Sequence, residues 1–91
     1  MIMSIQEAVK GLLEKKPEYE KTLKLAIEKE EENLTRDTYL GWEWYDVETH
    51  PAKLIKLVTE GIAKVNFKSN SSTCYLLKDR EIVKQVLPKF G

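Results

Sequence analysis

His50-Pro51-Ala52-Lys53-Leu54-Ile55-Lys56-Leu57-Val58-Thr59-Glu60-Gly61-Ile62-Ala63-Lys64-Val65-Asn66-Phe67 is the stretch in which the hydrophobic period changes, and the fold follows from that change. A residue before proline avoids the α region and proline favours the first helical position, so Thr49-His50-Pro51 reads as a helix start. Leu54, Ile55, Leu57 and Val58 make the apolar side of a short helix, and Gly61 supplies its stop. Beyond Gly61 the apolar residues alternate. Ala63, Val65 and Phe67 point one way and Lys64, Asn66 and Lys68 the other, as in a half-buried strand. Ser69-Asn70-Ser71-Ser72 has turn composition, and Thr73 to Leu77 is a second strand with Tyr75 and Leu77 on one face. A lone two-stranded hairpin is not stable in water, so this one must pack on helices, with Phe67 and Tyr75 expected in the core.

The flanking sequence supplies those helices. Ser4 with Glu7 three residues on makes a capping box, and Ile5, Ala8, Val9, Leu12 and Leu13 predict a first helix from Ser4 to Lys15. Pro17 opens a second helix reaching about Asn33, with Tyr19, Leu23, Ala26 and Ile27 on one face and the acidic run Glu28 to Glu32 solvated. Leu25 lies off that apolar stripe. Thr35 reads as a cap for a short helix over Arg36 to Leu40, closed by Gly41. The aromatic cluster Trp42, Trp44 and Tyr45 follows with no clear period; with Tyr39, these are expected to pack in the core. A last helix opens at Lys78 or Asp79, buries Ile82, Val83, Val86 and Leu87, and ends at Pro88. The expected class is therefore mainly α with a small antiparallel β-hairpin, in a single domain over residues 1–91.

Composition agrees. Apolar residues make up 42% of the chain and charged ones 33%, the balance of a folded domain. No apolar run approaches a membrane span, and Glu7 and Lys10 interrupt any secretory signal core, so the cytoplasm is the expected compartment. Cys74 is the single cysteine, which excludes an internal disulfide and a cysteine-rich zinc site. The formal net charge is zero, but it divides unevenly. Met1 to Glu48 holds seven Lys or Arg against twelve Asp or Glu, a balance of −5; Thr49 to Gly91 holds eight against three, a balance of +5. A neutral chain can still present one basic face to phosphates.

The string from His50 through Leu77 resembles the recognition helix, the Leu-Val, acidic residue, Gly-Ile corner and the wing of winged helix-turn-helix DNA-binding domains. The match covers about Thr35 to Leu77, and the whole chain resembles small archaeal winged-helix proteins of similar length. One departure is visible: Gly41 to Glu48 is longer and more aromatic than the tight turn of the simplest motif. The resemblance implies double-stranded DNA binding in transcription regulation, with a recognition helix over about 49–60 and a wing over about 68–73. The residues suit that role. Lys53 and Lys56 can face phosphates or guanine edges, small Ala52 permits close approach, and Thr49 and His50 sit at the positive end of the helix dipole. Lys68, Ser69, Asn70, Ser71 and Ser72 offer a cation and short donors to phosphate oxygens, with Lys64 beside them. A homodimer is expected, joined through the first helix or the acidic Leu25-bearing one, so that two recognition helices span successive major grooves.

Catalysis finds no motif. There is no Gly-rich phosphate loop, nucleophile elbow or paired catalytic carboxylates, and no cofactor is expected. Glu43, Asp46, Glu48 and His50 are the only ligand-like cluster, with one histidine. Two other readings stay open from the residues alone: a winged-helix module for protein–protein contact without DNA, and a single-strand or RNA binder stacking bases on the aromatic cluster.

Overall fold

A computed structural model describes residues 4–87, as four helices and one two-stranded antiparallel hairpin. The chain runs α1 (Ile5–Lys15), α2 (Tyr19–Glu32), α3 (Pro51–Thr59), β1 (Ala63–Lys68), β2 (Thr73–Leu77) and α4 (Arg80–Val86). None of the described helices is long and apolar enough to cross a membrane.

Local chemistry sets the helix ends. Ser4 Oγ accepts from the Glu7 amide at 3.2 Å and Glu7 Oε1 accepts from the Ser4 amide at 3.3 Å, completing the capping box of α1. At the far end of α3, Gly61 takes φ +77, its amide donating to the Val58 carbonyl and the Ile62 amide to the Leu57 carbonyl. That is a Schellman motif, which turns the chain from α3 into β1 within three residues. Asp79 Oδ1 accepts from the Ile82 amide at 3.1 Å and starts α4. The proline that was to end α4, Pro88, lies outside the described residues.

One core joins these elements. Ala8, Val9 and Leu12 of α1, Tyr19, Leu23, Ala26 and Ile27 of α2, Leu54 and Leu57 of α3, and Val83 of α4 are buried with Ala63, Tyr75 and Leu77 of the hairpin. Leu25, off the α2 stripe by sequence, is half-buried against this core. Tyr19 Oη donates to the Lys53 carbonyl at 3.0 Å and ties α2 to α3.

Residues 36–40 form turns, not the expected short helix. The Arg36 amide bonds to the Asn33 carbonyl and the Tyr39 amide to the Arg36 carbonyl, and then the chain straightens. Trp42 draws it out: this residue is fully buried, pairs backbone to backbone with Tyr75 at 2.9 Å in both directions, and stacks on the Tyr75 ring at 5.5 Å. Gly41 permits that approach. It adopts φ +134, and a Cβ there would collide with the Tyr75 carbonyl.

Glu30, expected with the rest of the Glu28 to Glu32 run to be solvated, is instead buried inside this arrangement at 7% exposure. Its Oε2 accepts from Trp42 Nε1 at 2.9 Å and from the Leu77 amide at 2.7 Å, while Arg80 Nη1 lies 3.6 Å from Oε1. α2, the Trp42 segment, β2 and α4 thus meet at one carboxylate.

The hairpin departs from strict alternation. Ala63 pairs with Leu77, Lys64 with Leu76 and Val65 with Tyr75, but Phe67 then pairs with Cys74, leaving Asn66 as the extra residue of a β-bulge. Asn66 Nδ2 donates to the Leu40 carbonyl at 2.8 Å, a bond that secures the bulge. The extra residue turns Phe67 onto the face of Lys64 and away from that of Val65. Phe67 is 38% exposed and does not join the core as its spacing suggested, whereas Tyr75 does.

Two substitutions test this account. Glu30→Ala strands two buried N–H donors and leaves Arg80 with Glu81 alone, and is expected to lower stability by about 3–5 kcal/mol in urea unfolding, with Glu30→Gln losing about 1–3 kcal/mol. Gly41→Ala is expected to cost at least about 2 kcal/mol, because a strained φ and a backbone collision coincide.

Candidate nucleic-acid interface

The candidate site is built from α3, the turn after β1 and the segment before α3. His50 holds the N-cap position of α3 in extended conformation, but its side chain makes no capping hydrogen bond. It is exposed, as is Ala52, whereas Thr49 is half-buried with its amide bonded to the Trp44 carbonyl. The outward stripe of α3 consists of Ala52, Ile55, Lys56 and Thr59, all exposed, spaced three and four apart as one helical face requires. Lys53 does not belong to it. Its ammonium lies 3.7 Å from Glu18 and 5.8 Å over the Tyr19 ring, so it leans towards α2.

Ile55 was assigned to the buried side by sequence, and the structure leaves it 61% exposed. The helical wheel carried the signal: at ~100° per residue, Ile55 lies about a quarter turn from Leu54 and outside the arc that Leu54, Leu57 and Val58 define. Val65 on β1 is also 46% exposed. Ile55, Val58, Thr59, Val65 and Tyr75 line a cleft of about 310 Å³ between α3 and the hairpin, with Lys68 and Thr73 at its edge.

A second cleft of about 280 Å³ lies between the hairpin turn and the N-terminal end of α3. Lys68, Ser69, Asn70, Ser71 and Ser72 line it from the turn, Pro51 and Leu54 from α3, and Glu43 and Trp44 from the preceding segment. Lys68 borders both clefts. Within the turn, Ser69 Oγ accepts from the Ser72 amide at 3.1 Å and the Ser69 amide donates to the Ser72 carbonyl at 2.8 Å, so Ser69 serves to close the loop. Asn70 and Ser71 project freely at the tip, and Ser72 is half-buried. Lys64 stands elsewhere: strand alternation puts it on the opposite hairpin face from Val65 and the α3 cleft.

Charge is arranged unevenly around this surface. The α2 lysines are all ion-paired: Lys21 with Glu48, Lys24 with Glu20 and Lys29 with Glu32. Lys56, Lys64 and Lys68 have no ion pair among the described residues, and the first turn of α3 carries no acid. One acid does face the second cleft. Glu43 Oε2 accepts from Tyr45 Oη at 2.6 Å, which occupies part of its charge.

Of the aromatic cluster, Trp42 is core, but Trp44 and Tyr45 are 46% and 55% exposed and meet edge to face. The expectation that all of them pack inside holds for Trp42 alone, with Tyr39 half-buried. Burial, followed by the charges of Glu43 and Asp46, pushes the Cys74 thiol up, so it stays protonated. Among the described residues no group of three or more His, Cys, Asp or Glu side chains is placed to hold a metal ion, and Glu43, Asp46, Glu48 and His50 do not converge. The chain matches no family model, no curated protein and no solved structure.

All four tyrosines are harder to ionise than a free phenol. The bond to Glu43 pushes Tyr45 up to about 12; burial raises Tyr39, Tyr19 and Tyr75, with nearby carboxylates adding to the first two. A raised folded-state value means that the associated stability is complete below about pH 10, the ordinary phenol value, and is lost as pH climbs above it. Phenolate absorbance of the folded protein is therefore expected to lag that of the unfolded chain in an alkaline titration, rising together with loss of helix.

Proposed function

We propose that this chain is a winged helix-turn-helix protein that binds double-stranded DNA as a transcription regulator, with α3 in the major groove and the turn over residues 69–72 against the adjoining backbone. The observation that carries this reading is the coincidence of an outward α3 stripe with Lys56 and Lys68, both without ion pairs among the described residues, while the α2 lysines are neutralised. The element order supports it too. α2, the bridge of Trp42 to Tyr75, the turns before α3, then α3 and a hairpin follow one another as in the winged-helix layout. Phosphate contacts fix position, and the tip residues Asn70 and Ser71 are suited to them.

A homodimer belongs to this proposal. Two α3 helices would then lie about 34 Å apart, on successive turns of the duplex. With Leu25 half-buried, the exposed Leu34 beyond α2 and the outer face of α1 are the surfaces left to join the copies. Sedimentation velocity at rising concentration tests this: a persistent monomer removes the dimer.

A second reading has its own support. Ile55 and Val65 expose apolar surface on this same face, and Trp44 and Tyr45 are exposed beside it, as a protein-docking module requires. Salt separates the two. Each phosphate contact contributes about −0.9 to the slope of log affinity against log salt, and protein docking through apolar surface has no such dependence. Fluorescence anisotropy with a duplex is expected to give salt-sensitive binding that Lys56→Glu/Lys68→Glu abolishes and Lys64→Glu, on the far hairpin face, changes less. Absence of binding at low salt moves the assignment to the protein-docking module.

A further inference from the structure

We infer that α3 selects duplex sites by the C5-methyl groups of thymine, with Ile55 as the residue that meets them; this rests on the duplex-binding reading above. Sequence in the major groove is read either by hydrogen bonds to base edges or by apolar contact, and the thymine methyl is the apolar group a base pair presents there. The outward stripe of α3 is poorly equipped for the first. Ala52, Ile55, Lys56 and Thr59 include no Arg, Asn or Gln, which leaves Lys56 as the one side chain of the stripe able to bond a guanine edge, and Lys53 is turned aside to Glu18 and Tyr19.

The stripe is well equipped for the second. Ile55, at 61% exposure, is the most exposed large apolar side chain on any helix or strand among the described residues. Alanine at position 52, one turn earlier on the same face, has no bulk to hold the helix away from the groove floor, and the Thr59 methyl continues the apolar line one turn later. Beside it Val65 and Tyr75 form the wall of the adjoining cleft.

Charge complementarity names the occupant. An apolar centre flanked by Lys56 and by Lys68 at the cleft edge, with no acid in the first turn of α3, matches a methyl group flanked by phosphates. Glu60, at the end of the helix, is the acid nearest the stripe in sequence and lies beyond Thr59.

The test removes the methyl and nothing else. A duplex rich in A·T pairs is compared with the same duplex carrying deoxyuridine for thymine, by anisotropy at fixed salt, for the native protein and for Ile55→Ala. Replacement by deoxyuridine is expected to weaken the native protein by about fourfold per contacted methyl, the transfer value of one buried methyl group. Ile55→Ala is expected to bind the thymine duplex as weakly as the native protein binds the deoxyuridine one, to discriminate little between the two, and to keep the native salt slope. Because Ile55 is exposed, thermal unfolding of the variant should match the native protein, which separates lost contact from lost fold. Salt-sensitive binding with equal affinity for both duplexes, or discrimination that survives Ile55→Ala, overturns the methyl inference and leaves the duplex reading standing. Binding to neither duplex at low salt overturns both.

Discussion

The buried Glu30 carboxylate is the contact on which the rest of the architecture depends. A charge taken out of water is costly unless donors replace its hydration, and here the Trp42 indole N–H, the Leu77 amide and Arg80 do so from three separate segments. The carboxylate thereby fixes the height at which β2 crosses α2 and the point at which the Trp42 segment joins β2. With Trp42 stacked on Tyr75, and Gly41 allowing the backbones to meet, β2 becomes a central strand held on both edges. The hairpin is marginal by itself and gains a fixed pose on the helices by this means.

That pose decides what α3 presents. The Schellman turn at Gly61 links α3 to β1 so closely that the orientation of the strand sets that of the helix. Tyr19 reaches the Lys53 carbonyl from α2 and fixes the other side of α3. Between these two restraints Leu54 and Leu57 face inward, and Ala52, Ile55, Lys56 and Thr59 have no internal neighbour to cover them. The bulge at Asn66 contributes from the hairpin side. It leaves Val65 on the α3 side, gives the next positions on that side to Lys68 and Thr73, and so brings a cation to the edge of the apolar cleft.

The acidic front and basic back halves of the chain are also reconciled in space. Six of the twelve front-half acids meet a described cation locally or across the fold, among them Glu20 with Lys24, Glu48 with Lys21, Glu31 with Lys84 and Glu18 with Lys53. Exposed pairs of this kind add little stability, but they remove those lysines from the positive surface. What remains uncompensated around α3 and the hairpin is a smaller set than the count of back-half lysines suggests.

Local patterns were legible in the residues. The capping box at Ser4, the His50-Pro51 start of α3, the Gly61 stop, the switch from a 3.6 to a 2 period and the Asp79 cap all act within four residues of chain, so spacing alone located α1, α3, the hairpin and α4 in their order. Long-range contacts decided the rest. Residues 36–40 are turns because Trp42 is pulled into the core and onto Tyr75; Phe67 shares a face with Lys64 instead of Val65 because one inserted residue, bonded to Leu40, shifts the register; Lys53 leaves the outward face because Glu18 and Tyr19 stand beside it. A helical or strand period records which side of an element is apolar. Which part of that side another element covers depends on partners far away in sequence, and that is why Val65, apolar on the face that Tyr75 shares, stays at the surface while Tyr75 is buried.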